Sequence, residues 1–238
     1  MKTADLYICN MKLGEIPHIA GVLTDTDVVN INHDVLNTAD IIELRVDLFG
    51  KLTTEHIEMI FKLARDKFKK PLIGTIRSIK EGGQKEIPNR LGLYRTIIPL
   101  SDMVDVEIGS VDIIGEIRNI CHDEKKLLIG SYHNFNSTPG DKILDEIVSK
   151  GKGFGADVVK IAVTAADNAD VVRLAVFTYN HRDEGLITIS MGDRGLPSRV
   201  FSPLFGSLIT YGYVTHPSAP GQLSVSELLY IFRRLKVR

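Results

Sequence analysis

Short β-branched segments recur along the chain, and stretches with helical spacing separate them. Eight of these segments predict strands, namely Ile19–Thr24, Ile41–Asp47, Leu72–Arg77, Met103–Ile108, Leu127–His133, Asp157–Val163, Leu186–Met191 and Leu208–Val214. Strands that alternate with helices form right-handed βαβ units and a parallel sheet. Eight such units within 238 residues favour closure of the sheet into a (β/α)8 barrel.

The main competing architecture is an open, doubly wound sheet. That fold usually places a glycine-rich turn after its first strand, whereas the segment after Thr24 has no glycine. No linker rich in proline, glycine or serine divides the chain, so residues 1–238 are predicted to form a single barrel domain. The segment Leu6–Cys9 is a candidate for an extra strand that closes the bottom of the barrel.

The spacing of apolar residues predicts amphipathic helices between the strands. The segment Thr54–Phe68 carries one continuous apolar face. In Asp141–Lys150, the apolar face is predicted to hold Ile143, Ile147 and Val148.

The composition excludes several classes of protein. The formal net charge is −1, so no basic excess exists to neutralise the phosphates of nucleic acids or anionic membranes. Cys9 and Cys121 are the only cysteines and lie far apart, which argues against a disulfide scaffold or a thiolate zinc site. The N-terminus lacks a signal-peptide pattern and no apolar run approaches membrane-spanning length, so a soluble, cytoplasmic protein is expected.

Charged residues occupy one face of strands whose other face is apolar. In Ile41–Asp47, Glu43, Arg45 and Asp47 share one face, and aliphatic residues form the other. The apolar face of a barrel strand meets the helices, so the charged face is predicted to point into the barrel. Similar polar pairs are Thr75 and Arg77, Asp105 and Glu107, and Ser131 and His133.

These polar residues lie at or near the carboxyl ends of strands, where barrel enzymes place their active sites. A single charge such as Asp47 or Glu107 could equally cap a helix or belong to a structural ion-pair layer. Convergence of acids, arginines, a histidine and a lysine from five strands predicts a functional site.

Lys160 is a candidate nucleophile within the apolar run Asp157–Val163. No opposite charge shares its strand face, and burial beside arginines would favour the neutral amine that attacks a carbonyl. The alternative is a lysine that extends from a strand end to solvent. His133, one strand earlier, is a candidate proton carrier or a hydrogen-bonded structural residue. None of the seven histidines has a compact ligand spacing, so no metal site is expected.

Two loops complete the predicted site. After the seventh strand, Ser198 is predicted to cap a helix, and Arg199 offers a planar fork suited to a carboxylate. A phosphate cup is the alternative there, because barrels often bind phosphate after strands seven and eight. The loop Thr215–Gln222 argues against it, since one glycine and two prolines are typical of a shaped lid over a hydroxylated ligand.

Together these motifs are more specific than any one of them. In chain order they are Glu43-Leu44-Arg45-Val46-Asp47, Thr75-Ile76-Arg77-Ser78, Glu81-Gly82-Gly83, Ser131-Tyr132-His133, Val159-Lys160, Ser190-Met191-Gly192, Ser198-Arg199 and Ser218-Ala219-Pro220-Gly221-Gln222. Their identities and order resemble the type I 3-dehydroquinate dehydratases of the shikimate pathway. One departure is Asn134, where many members carry Asp; it is expected to affect the strand end rather than the chemistry.

The resemblance implies dehydration of 3-dehydroquinate through a Schiff base on Lys160, with His133 as general acid and base and Glu81 orienting His133. It also implies that neither cofactor nor metal is needed, and that the protein is a homodimer. Arg199 would bind the substrate carboxylate. The residues implied to hold the rest of the substrate are Glu43, Arg45, Arg77, Ser218 and Gln222.

Two other functions remain open at this level. A class I aldolase acting on a sugar phosphate would share the lysine chemistry but would need a phosphate cup. A non-catalytic barrel that binds a small acid could keep Arg199 but would not need His133 beside Lys160. The sequence does not separate a biosynthetic role from quinate breakdown.

Overall fold

The computed structural model describes residues 6–32, 37–217 and 221–238. A short antiparallel hairpin, β1 (Tyr7–Ile8) with β2 (Met11–Lys12), precedes eight parallel strands. These are β3 (His18–Leu23), β4 (Ile41–Arg45), β5 (Leu72–Thr75), β6 (Met103–Glu107), β7 (Leu127–Asn134), β8 (Val158–Thr164), β9 (Leu186–Met191) and β10 (Ile209–Tyr213).

The parallel strands are ordered β10-β3-β4-β5-β6-β7-β8-β9 around the sheet. The two ends of this sheet meet where the Leu208 N–H, just before β10, donates to the Leu186 carbonyl of β9 at 2.8 Å. The predicted (β/α)8 barrel is therefore confirmed, and each predicted strand overlaps an observed one.

Helices follow the strands and cover the outside of the barrel. They are α1 (Asp25–Asn30), α2 (Thr54–Phe68), α3 (Arg90–Ile97), α4 (Ile114–Asp123), α5 (Asp141–Gly153), α6 (Asn168–Asn180), α7 (Ser198–Leu204) and α8 (Val225–Arg234). Helix α2 has the predicted bounds and begins where the Thr53 side chain accepts a hydrogen bond from the His56 N–H. Within the described residues, no helix has the length and apolarity to cross a bilayer.

The predicted apolar face of α5 is partly wrong. Ile143 is 50% exposed, and Leu144 is fully buried in its place. Leu144, Val148 and Gly151 form the buried stripe because they recur at the i, i+4 and i+7 spacing of one helix face.

Two apolar cores lie on opposite sides of the sheet. The outer core, between strands and helices, contains the aliphatic face of β4, including Ile42 and Leu44. The inner core fills the lower barrel, and Ile8 and Leu13 of the hairpin segment pack against it. The proposed extra strand at the barrel bottom is thus confirmed as one half of a hairpin.

Above the inner core, the barrel interior becomes polar. Strand register places Arg45 beside Thr75, Thr75 beside Asp105, and Ser131 beside Lys160. Side chains of alternate residues point to the same side of a strand, so these groups project into the upper barrel. This polar layer is the floor of the candidate site.

Candidate active site

Lys160 lies in the middle of β8 and is 5% exposed. Its Nζ donates to Asp105 Oδ2 at 3.0 Å and lies 3.9 Å from Glu43 Oε1. The Tyr211 ring centre is 4.1 Å from the same nitrogen. Burial beside arginines was expected for Lys160, whereas β4 and β6 bring carboxylates to it across the barrel.

Asp105 links Lys160 to a buried ion network. Its carboxylate accepts hydrogen bonds from Ser131 Oγ at 2.6 Å and pairs with Arg77 Nη2 at 2.9 Å. Burial alone would raise the pKa of Asp105, but Arg77 and Lys160 lower it well below its usual range. Asp105 is therefore an anion throughout the working pH range.

Arg77 forms ion pairs with two carboxylates of the protein, Asp105 and Glu107. Burial opposes its charge, yet Asp105 and Glu107 raise the pKa of Arg77 well above its ordinary value. Its Nη1 also donates to Glu107 Oε1 at 3.0 Å and to Ser131 Oγ at 2.7 Å. Glu107 in turn pairs with Arg90 and accepts from the Ser78 N–H at 2.8 Å. The structural alternative for Glu107, an ion-pair layer, is the one observed.

Asp47 also has a structural role. Arg45 donates to both of its oxygens, from Nε at 2.9 Å and from Nη2 at 2.8 Å. The same carboxylate accepts from the Arg77 backbone N–H at 3.2 Å. A bidentate arginine–carboxylate pair has a defined geometry, so Asp47 fixes Arg45 at the rim of the cavity.

His133 and Glu81 form a pair near the mouth of the site. Glu81 Oε2 accepts from the His133 backbone N–H at 2.9 Å and lies 3.0 Å from its Nδ1. Since Oε2 acts as an acceptor here, we assign the ring proton to Nδ1, which leaves Nε2 as the basic atom. The predicted contact between Glu81 and His133 is present.

The surroundings shift the pKa values of both members of this pair. Burial, together with Arg77 and Lys160, lowers the pKa of His133 well below its usual value. His133 is therefore neutral at pH 7 and available as a base. Burial and the charge of Glu107 raise the pKa of Glu81 to about 7.

Arg199 enters the cavity from the first turn of α7. Ser198 is not a helix cap as predicted; its Oγ accepts from the Ser190 N–H at 2.9 Å and donates to the Ser190 carbonyl at 3.2 Å, which ties α7 to β9. Arg199 is 3% exposed, and burial lowers its pKa to about 10. Among the described residues, no carboxylate pairs with it, and its Nε has no hydrogen-bond partner. A buried guanidinium in this state is a binding site for an anion.

The predicted site residues within the described ranges line one cavity of about 100 Å³. They are Glu43, Arg45, Arg77, Glu81, His133, Lys160, Arg199 and Gln222. Ser218 lies outside the described residues. In the same described ranges, no group of three or more His, Cys, Asp and Glu side chains is arranged to hold a metal ion.

Sequence reasoning gave no role to several cavity residues, although Met191 stands in one of the quoted motifs. They include Phe135, Met191 and Tyr211. The parity of β9 and β10 could have indicated Met191 and Tyr211, because their strands are predicted and alternate residues face inward. Apolar residues on a barrel strand are, however, the ordinary filling of its interior, so parity alone does not mark them as functional.

Asn134 organises the end of β7. Its Oδ1 accepts from the backbone N–H groups of Asn136 and Ser137 at 2.9 and 3.1 Å. Its Nδ2 donates to the Tyr132 hydroxyl at 3.3 Å. The expectation that Asn134 acts on the strand end is confirmed.

Known proteins are similar to this chain in sequence. Residues 22–237 match a family model described as Type I 3-dehydroquinase. The 3-dehydroquinate dehydratase of Thermodesulfovibrio yellowstonii is 42% identical over 228 residues, which are 96% of this chain and 100% of that relative.

Solved structures of 3-dehydroquinate dehydratases have the same fold as this chain. The 3-dehydroquinate dehydratase of Aquifex aeolicus superposes with a TM-score of 0.83 at 37% identity, covering 91% of this chain and 98% of that one. The type I enzyme of Clostridium difficile, solved with covalent modified comenic acid, gives 0.90 at 31% identity, covering 99% and 98% of the two chains. With its fold and nearly its whole length matched, the chain belongs to the type I 3-dehydroquinase family of carbon–oxygen lyases.

Proposed function

We propose that this chain converts 3-dehydroquinate to 3-dehydroshikimate through a Schiff base on Lys160, with His133 as general acid and base. The observation that carries the proposal is the convergence of three groups in one cavity: the Lys160 nitrogen, the neutral His133, and Arg199, which no described carboxylate pairs with. They supply a nucleophile, a proton carrier and an anion site. The substrate is proposed from the family to which the chain belongs.

Binding begins at Arg199, whose guanidinium takes the substrate carboxylate in a bidentate pair. Among the described residues no carboxylate balances this buried charge, so an anion bound there removes a cost that the free enzyme carries. Glu43, Arg45, Arg77, Ser218 and Gln222 are proposed to hold the hydroxyl groups. Anchoring at several points places the ketone near Lys160 and supplies much of the rate through orientation.

The covalent step joins the ketone carbon to Lys160 Nζ. An ammonium has no free electron pair, so Lys160 releases one proton before attack, and neutral His133 is the base that accepts it. The C–N bond forms while the carbonyl electron pair moves to oxygen. One proton from the nitrogen and the proton held by His133 then leave with that oxygen as water, which returns His133 to its neutral form and leaves an iminium cation on Lys160.

The iminium withdraws electrons from the neighbouring C–H bond. His133 takes that proton, and the electron pair moves toward nitrogen to give an enamine. The enamine expels the hydroxyl group, to which His133 returns a proton so that it leaves as water. A further water molecule hydrolyses the conjugated iminium and regenerates the Lys160 amine. Glu81 keeps the His133 ring in the orientation and tautomer that this cycle requires.

A solved relative supports covalent chemistry in this family. The Clostridium difficile enzyme was determined with covalent modified comenic acid, an organic acid, and its fold covers nearly the whole of this chain.

Reduction with borohydride in the presence of 3-dehydroquinate tests the proposal. We expect a stable adduct on the peptide that contains Lys160, and formation of a conjugated product in the untreated enzyme. Lys160→Met should give neither. Lys80→Met is the matched control, because Lys80 is an exposed lysine beside Glu81 and should leave adduct and turnover unchanged. His133→Ala should form the adduct but lose turnover.

Other outcomes would contradict the proposal. Product without an adduct on Lys160 would reject the Schiff base while keeping the activity. Near-normal turnover of His133→Ala would remove His133 from proton transfer. Neither adduct nor product, together with cleavage of a phosphorylated sugar, would favour the aldolase.

We also propose that the protein is a cytoplasmic homodimer, on the basis of the family resemblance. Light scattering on the purified chain tests the oligomeric state, and a mass equal to one chain at micromolar concentration would reject it.

A further inference from the structure

Tyr211 is a cavity residue that the mechanism above does not use. It lies on β10, opposite Ala20 of β3, and is 3% exposed. Its ring centre is 4.1 Å from Lys160 Nζ, well inside the separation of about 6 Å at which an aromatic face attracts a cation. The ring therefore forms one wall of the space in which the Lys160 nitrogen must remain during catalysis.

The other neighbours of this nitrogen are shared with other groups. Asp105 also binds Arg77 and Ser131, and Glu43 accepts a hydrogen bond from Thr75 Oγ1 at 2.8 Å. Within the described residues, Lys160 is the cation that lies over the Tyr211 ring. In the part of the chain that the structure describes, the ring is thus the neighbour of Lys160 that has no second cation stacked over it.

The hydroxyl oxygen of Tyr211 is buried and has no hydrogen-bond partner among the described residues. Burial, with the negative charges of Glu43 and Asp105, raises the pKa of Tyr211 well above its ordinary value. The hydroxyl therefore stays protonated and does not act as a base, and the π face is the part of the side chain that contacts Lys160.

We propose that Tyr211 is a positioning residue whose ring face holds the Lys160 nitrogen in place and stabilises its positive charge at the iminium stage. This inference rests on the proposed Schiff base. The nitrogen is cationic in the iminium, and a π face attracts a cation most strongly where water is excluded. Because Arg199 binds the substrate carboxylate elsewhere in the cavity, loss of the ring should slow chemistry more than it weakens substrate binding.

Three replacements distinguish the contribution of the π face from the contributions of the hydroxyl group and of the side-chain shape. Tyr211→Phe keeps the π face and should retain turnover within about threefold. Tyr211→Leu removes the face and should lower kcat by about tenfold or more, with KM changed by less than about threefold. Pentafluorophenylalanine at position 211 keeps a ring but reverses its charge distribution, and should behave like Leu. Thermal melting confirms that each variant is folded.

The fraction of enzyme trapped by borohydride at saturating 3-dehydroquinate is the direct readout. It should fall in the Leu and pentafluorophenylalanine variants and persist in Tyr211→Phe. A Phe variant as impaired as Leu would assign the effect to the hydroxyl and overturn the proposal. So would a pentafluorophenylalanine variant with the kcat and trapped fraction of Phe, even where Leu fails to fold. If the wild type forms no adduct on Lys160, the proposed function fails and this inference with it; a normal wild-type adduct with unaffected variants rejects Tyr211 alone.

Discussion

Asp105→Asn is predicted to lower the free energy of unfolding at pH 7 by about 3 kcal/mol, the lower end of the range for breaking a buried ion pair. Asp105 has no exposed surface and carries the negative charge between Arg77 and Lys160. Asparagine keeps the shape but removes that charge. The loss stays near the lower end because Arg77 retains Glu107 at 3.0 Å, and Lys160 retains Glu43 at 3.9 Å.

The same substitution should change how stability depends on acid. The folded-state pKa of Asp105 is depressed below its unfolded value, so its contribution is present above that unfolded value of about 3.9 and is lost as the pH falls toward the folded one. Below about pH 4, the wild type should therefore lose stability more steeply than Asp105→Asn.

Urea denaturation at several pH values between 7 and 2.5 measures both effects. Glu58→Gln is the control, because Glu58 and Lys62 also form a carboxylate–ammonium ion pair, but on an exposed helix face. Exposed pairs of this kind contribute only about 0.5 kcal/mol or less. An Asp105→Asn protein as stable as the wild type at pH 7, or with an identical acid slope, would refute the reasoning.

Two further predictions concern the substrate and the proton carrier. Arg199→Met should raise KM by about a hundredfold through loss of a charge-assisted, bidentate contact, without lowering the melting temperature, because it removes a buried charge that has no partner among the described residues. Steady-state kinetics and thermal melting check this, and a clear fall in melting temperature would show that Arg199 is paired. Glu81→Gln should remove an inflection near pH 7 from the pH profile of kcat/KM, because burial raises the pKa of Glu81 to about 7. Since that pKa is raised, the wild type should also lose stability as the pH rises from about 4.5 to 7, and the variant should not.

Local patterns in the sequence were sufficient for the barrel and for much of the site. The eight strands are short β-branched runs, and the alternation of charged and aliphatic residues in β4 shows which face points inward. Side-chain direction in a strand has a period of two, so Glu43, Arg45 and Lys160 could be placed in the barrel without coordinates. Residues such as Arg199 and Gln222 depended on motif order, because loop residues have no such period.

The partners of these side chains were decided by the tertiary structure. Asp105 and Lys160 are 55 residues apart and lie on strands that are not neighbours, so their 3.0 Å contact depends on how the barrel closes. The same closure brings Glu107 into ion pairs with both Arg77 and Arg90. It leaves Arg199 without a carboxylate partner among the described residues.

Sequence alone therefore determined which groups this protein points into its barrel, because strand periodicity is a local property of the chain. Which of those groups neutralise one another, and which remain available to a substrate, depended on distances across the barrel. Those distances follow from strand register and closure, to which residues far apart in the sequence contribute together. The ring of Tyr211 beneath a lysine on another strand is a consequence of the same kind.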